Sequence, residues 1–171
     1  MYLYLKQKVF AIAEKFTFFD ANQFPVFTAQ GSFFSIPKRF TLFSNQIPVL
    51  TVERAVFSWL PRFTVFDQPS GQQVCTMKRE FSFKPNFTIT SNDGVYTIRG
   101  SLFGYEFDIY APDGQKVVGV HKKFISWGDT YEIFIDETKI QPKIAAGLVV
   151  AIDNAVHPNT QGGIGIHIGF R

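Results

Sequence analysis

Three pairs of adjacent basic residues are the groups in this 171-residue chain best suited to bind a ligand: Lys38-Arg39, Lys78-Arg79 and Lys122-Lys123. Lysine and arginine neutralise phosphate oxygens, so recurring basic pairs point to an anion or a lipid-headgroup patch. Each pair precedes or lies in an expected strand, where neighbouring side chains point to opposite faces, so one member of each pair can join a common patch. Solvated strand ends are the plain alternative.

Other constellations that carry chemistry are missing from the sequence. His121, His157 and His167 have no partners at metal-ligand spacing, and Cys75 is the single cysteine, so neither a metal nor a cofactor is expected. Cys75 falls in an apolar strand, Val74-Cys75-Thr76-Met77, where packing suits it better than reactivity. No Gly-x-Ser-x-Gly elbow occurs, and Gly162-Gly163-Ile164-Gly165 lacks the Lys-Ser/Thr of a phosphate loop. Glu106 and Asp108 share one strand face, turned outward between Phe107 and Ile109. No catalytic residue is assigned, and the chain is expected not to be an enzyme. Asp153 ends an apolar helical run, where the helix dipole disfavours a negative charge. Two readings stay open: a buried pair or hydrogen bonds at a barrel mouth, or emergence of the helix into water.

The elements that must position these groups follow from a repeat. Phe16, Phe40, Phe63, Phe87, Phe107 and Tyr131 lie 24, 23, 24, 20 and 24 residues apart. Four of them open Phe-Thr-apolar triplets, such as Phe16-Thr17-Phe18, and turn residues follow four places after most anchors, as in Ser91-Asn92-Asp93-Gly94. A second Phe precedes four anchors by six residues, at Phe10, Phe34, Phe57 and Phe81. The unit is a β-hairpin with a short return, and its repetition predicts about twelve strands. So large a sheet closes on itself, since open edges attract partners. The fold class is therefore mainly β, a closed barrel in one domain over residues 1–171.

From Gln141 to His157 the β rhythm stops. Pro142 suits a first helical turn, Pro158 follows the end, and the run Ile144 to Ile152 is apolar on every side. A helix over about 142–156 is predicted, buried inside the barrel because nine apolar residues are far short of the roughly 20 that span a bilayer. Residues 163–170 alternate Ile and Gly and are expected to form a closing strand beside it. With 21 Phe, mostly in alternating stretches, the aromatics are expected in the core. A formal charge of +3 permits weak attraction to anionic surfaces but is too small to argue for nucleic acid, and no nucleic-acid partner is expected. The alternating N-terminus lacks the apolar run of a secretion signal, so a cytoplasmic protein with no transmembrane segment is expected.

With this architecture the chain resembles the LURP-one-related family, YxjI-like proteins included, within the tubby C-terminal-like and phospholipid scramblase superfamily. The resemblance is carried by Tyr4-Leu5-Lys6-Gln7-Lys8-Val9-Phe10, Phe16-Thr17-Phe18, Gly31-Ser32-Phe33-Phe34-Ser35 and the helix core from Ala145 to Asp153-Asn154. It implies a barrel threaded by a helix, and a superfamily in which some members bind phosphoinositides. The acidic calcium-binding stretch of the scramblases has no counterpart here. The expected function is a non-catalytic cytosolic binding or scaffold domain for anionic phospholipid headgroups or a protein partner. The alternatives are a carrier of an apolar small molecule and an enzyme with an unrecognised site.

Overall fold

The computed structural model describes residues 1–6, 15–32, 36–125 and 128–157. In chain order the strands are β1 (Tyr2–Lys6), β2 (Lys15–Phe19), β3 (Pro25–Gly31), β4 (Arg39–Ser44), β5 (Ile47–Arg54) and β6 (Arg62–Asp67). They continue as β7 (Gln73–Arg79), β8 (Phe87–Ser91), β9 (Gly94–Ser101), β10 (Glu106–Tyr110), β11 (Lys116–Ile125) and β12 (Gly128–Ile135), followed by helix α1 (Pro142–Val156). Each strand pairs antiparallel with its neighbours in sequence, and β1 closes the ring by pairing with both β2 and β12. The strand expected over 163–170 lies outside the described residues; the ring of described strands closes through β1.

The repeat maps onto the hairpins. Each anchor lies near the start of an even-numbered strand and faces inward, buried with the apolar residue two places on. The Thr between them faces outward and meets another Thr across the hairpin: Thr17 with Thr28, Thr41 with Thr51, Thr64 with Thr76 and Thr88 with Thr97. In four hairpins the register shifts at the same place, between Phe18 and Phe19, Leu42 and Phe43, Val65 and Phe66, and Ile109 and Tyr110. A bulge there bends the strand and sharpens its twist just before the turn, which helps the sheet curl shut. The apolar face is inside and the polar face outside, the reverse of a membrane-spanning barrel.

Alternation of direction sorts the connections onto two rims. One, the turn rim, carries tight reversals; in β4–β5, Asn45 and Gln46 both have positive φ (48° and 66°), the geometry whose twist matches a two-residue hairpin. The other, the loop rim, carries the longer returns 55–61 and 80–86.

Helix α1 enters at the turn rim and runs toward the loop rim, and every residue from Ala145 to Ala155 is buried. Its closest wall is β5, where Gly147 lies so near that an added Cβ would collide with Leu50 Cδ2. The helix thus fills the barrel, as expected from its all-round apolar character. Among the described residues no helix is long and apolar enough to cross a membrane.

Candidate functional site

The loop rim owes its surface to two returns built alike. Phe57-Ser58-Trp59-Leu60-Pro61-Arg62-Phe63 and Phe81-Ser82-Phe83-Lys84-Pro85-Asn86-Phe87 share a Phe-Ser-aromatic start, a Pro and a closing Phe. In each, the Ser hydroxyl donates to the carbonyl two residues on, Ser58 to Leu60 and Ser82 to Lys84. Backbone bonds close the bases, from Ala55 N to Arg62 O and Glu80 N to Asn86 O, both 2.9 Å. The loops lie side by side, joined by the β6–β7 pairing and by Arg79 N donating to Pro61 O at 2.9 Å. The closing Phe63 and Phe87 enter the core, while the tips do not. Phe57 is 100% exposed, Trp59 105%, Phe81 96% and Phe83 110%. Ile36 on the β3–β4 return and Phe103 on the β9–β10 return are also exposed at this rim. These aromatics depart from the expectation of a core role, because the strand alternation that buries Phe63 and Phe87 ends before the tips.

Basic side chains ring the same loops. Lys38, Arg39, Lys78 and Arg79 all fall at the loop-rim ends of β4 and β7, joined there by Arg54, Arg62 and Lys84. Both members of each pair contribute, since at a strand's end the inward-pointing position opens onto the mouth. Lys38 Nζ accordingly lies 5.4 Å from the Phe40 ring centre and the Arg54 guanidinium 5.9 Å from that of Phe63. Glu53 answers Arg39 at 2.8 Å. Arg62, Lys78, Arg79 and Lys84 have no carboxylate partner among the described residues, and Arg62 faces Lys78 across the ladder. Lys122 and Lys123 share the rim but lie across the ring on β11, where Lys123 pairs with Glu132 at 3.4 Å. There His121 bridges Glu106 (2.9 Å) and Asp108 (3.1 Å) on the outer wall. Those hydrogen bonds, the Glu106 one first, raise the His121 pKa, and the His121 bond holds Glu106 low.

The turn rim has the opposite charge, for a structural reason. Asp20, Asp67, Asp113 and Asp136 accept hydrogen bonds from residues two to four places on, the usual way Asp closes a turn. A cavity of about 420 Å³ opens there, floored by Cys75, Ile89 and Leu148 beside the first turn of α1. Both lysines that line it are ion-paired, Lys143 to Asp67 at 2.5 Å and Lys139 to Asp113 at 2.7 Å. The Lys143 bond, ahead of the Ser70 bonds, holds the Asp67 carboxyl down at about 2, and burial pushes the Cys75 thiol up to about 12. Cys75 is therefore a packed side chain, as the sequence suggested. Among the described residues no group of three His, Cys, Asp or Glu side chains is placed to hold a metal ion.

Asp153 resolves in favour of the buried pair. It is 8% exposed and accepts a hydrogen bond from the Tyr105 hydroxyl of the β9–β10 return, with His157 Nδ1 at 3.4 Å. The His157 ring stacks on Tyr105 with centres 5.5 Å apart. Burial raises the Asp153 pKa against the opposing pull of Tyr105 and His157. Burial first, and then the Asp153 charge, raise that of Tyr105. The cluster locks the helix end to the loop rim. Sequence reasoning missed Tyr105 because contact depends on a loop residue 48 positions away in the chain.

The family model for LURP-one-related proteins matches residues 1–153, so the chain belongs to that family. It is 32% identical over 135 residues to the protein YxjI of Bacillus subtilis (strain 168), covering 78% of this chain and 80% of that one. A crystal structure of a protein from Arabidopsis thaliana superposes with a TM-score of 0.64 at 19% identity, over 90% of this chain and 89% of the other, which shows a shared fold.

Proposed function

We propose that this LURP-one-related barrel is a non-catalytic binding domain that docks through its loop rim on an anionic phospholipid surface. The observation that carries the reading is the concentration of basic residues around one barrel end, Lys38, Arg39, Arg54, Arg62, Lys78, Arg79 and Lys84, where they outnumber the neighbouring carboxylates Glu53 and Glu80. Net charge alone gives a weak, diffuse attraction; gathered on one rim, the same charge orients the molecule toward a negative surface. The helix threads the barrel with its negative end at the cationic rim, which complements the basic ring. A cytoplasmic site of action fits, since anionic lipids line that side of membranes. A carrier of an apolar small molecule is the second reading, favoured by the cavity at the turn rim. Its weakness is size and setting: the helix occupies the barrel interior, and both lysines on the cavity wall are already ion-paired.

Flotation with phosphatidylcholine vesicles and with phosphatidylserine-containing vesicles tests the docking reading. Binding is expected to the anionic vesicles at low salt and not to the zwitterionic ones. The triple variant Lys78→Glu, Arg79→Glu, Lys84→Glu should lose most of it, since each basic group near such a surface contributes about 1 kcal/mol. Equal flotation with both lipids, or no effect of charge reversal, would refute the reading.

A further inference from the structure

We infer that Phe57, Trp59, Phe81 and Phe83 insert into the interfacial layer of the bilayer when the basic rim docks, so that the two loops act as paired wedges. The inference rests on the docking reading and adds how the surface is gripped. Large apolar side chains left wholly in water on adjacent loops form a patch of the kind that marks a contact site. Here the exposure is built in twice: the same Phe-Ser-aromatic-x-Pro sequence, with the same Ser hydroxyl folded onto its own loop, turns an aromatic pair outward each time.

The surroundings select the occupant. Lys84, Arg62 and Lys78 flank the tips without carboxylate partners among the described residues, a pattern that matches a surface apolar inside and anionic outside. Aromatic rings, Trp above all, favour the headgroup boundary, and basic side chains beside them reach the phosphates. Two copies meeting tip to tip would bring cationic rims together, which like-charge repulsion disfavours. The polar outer wall of Thr and charged residues keeps the barrel itself out of the hydrocarbon, so entry is confined to the tips.

The chain has two Trp, so Trp127→Phe leaves Trp59 as the reporter. With phosphatidylserine-containing vesicles, Trp59 emission should shift to the blue and be quenched by brominated acyl chains. Part of the binding should also survive salt that screens charges beyond about 8 Å. Phe57→Ser, Phe81→Ser and Phe83→Ser together should weaken binding about tenfold or more. Each is an exposed position, where substitutions leave stability nearly unchanged, so the melting temperature should hold. Vesicle binding with unchanged Trp59 emission and complete loss at high salt would overturn insertion and leave docking standing. Absence of binding at any salt would overturn both. Emission already blue-shifted without lipid would also overturn insertion. If the shift depends on protein concentration, a second copy covers the tips; if it does not, residues 158–171 or another part of the chain does.

Discussion

Val150→Asp is expected to yield unfolded or insoluble protein. Val150 is 1% exposed in the middle of a helix whose neighbours Leu148, Val149, Ala151 and Ile152 are as deeply buried, so a carboxylate there has no direction in which to reach water. Fully burying one such aliphatic side chain contributes roughly 1.5 to 3 kcal/mol. The unpaired carboxylate costs several more, which rivals the ~5 to 15 kcal/mol stability of a typical domain. Asn92→Asp, in an exposed two-residue turn, serves as the silent control. Circular dichroism and the soluble fraction on expression read the difference. A folded Val150→Asp protein would mean that the helix has an open side.

Tyr105→Phe should destabilise the protein strongly at neutral pH and much less in acid. The substitution removes the hydroxyl that donates to buried Asp153 and leaves the ring packed on Tyr131 and His157. A hydrogen bond to a charged group contributes about 1.5 to 3 kcal/mol. For a chain of this size each kcal/mol moves the melting temperature by roughly 2 to 4 °C. The pH dependence has a definite sign. Burial holds the folded pKa of Asp153 above its unfolded value, so the penalty for its charge is present at neutral pH and relieved as the carboxyl protonates. Loss of Tyr105 raises that pKa further. The gap between the two proteins is therefore widest above the raised pKa and closes as pH falls to the ordinary carboxylate range. Adding Asp153→Asn to Tyr105→Phe should flatten the dependence. Melting curves for the three proteins between acid and neutral pH would show it, and a gap that stayed constant with pH would contradict the assignment of Asp153 as the group responsible.

What could be read from the sequence was whatever repeats with a fixed period. The anchors Phe16 to Tyr131, the Thr after four of them and the turn residues beyond set the hairpins, the inward face and the need for closure. The run from Ile144 to Ile152, apolar all round, required walls that only a closed sheet supplies. The loop rim was half visible. Phe57 and Phe81 were marked by their spacing six residues before an anchor, yet Phe in a β-rich chain reads as core, and only the point where each strand ends decides otherwise. The repeated Phe-Ser-aromatic-x-Pro segment was the available signal. The basic pairs were found by adjacency, but the alternation rule removed half of each pair, since it takes no account of the mouth. Ring order did the rest, gathering Lys38-Arg39 and Lys78-Arg79 beside the exposed aromatics and leaving Lys122-Lys123 across the barrel among carboxylates. Tyr105 and Asp153 met for a reason no local pattern carries, the helix running the full height of the barrel.

The central claim is that one rim of this barrel is a membrane-contact surface and the other is not. Amide hydrogen exchange with and without phosphatidylserine-containing vesicles tests it most directly. The account predicts slowed exchange in residues 55–61 and 80–86 when vesicles are added, with the turns at 45–46, 92–93 and 113–114 unchanged. Protection at those turns instead, or a uniform change over both rims, would contradict it.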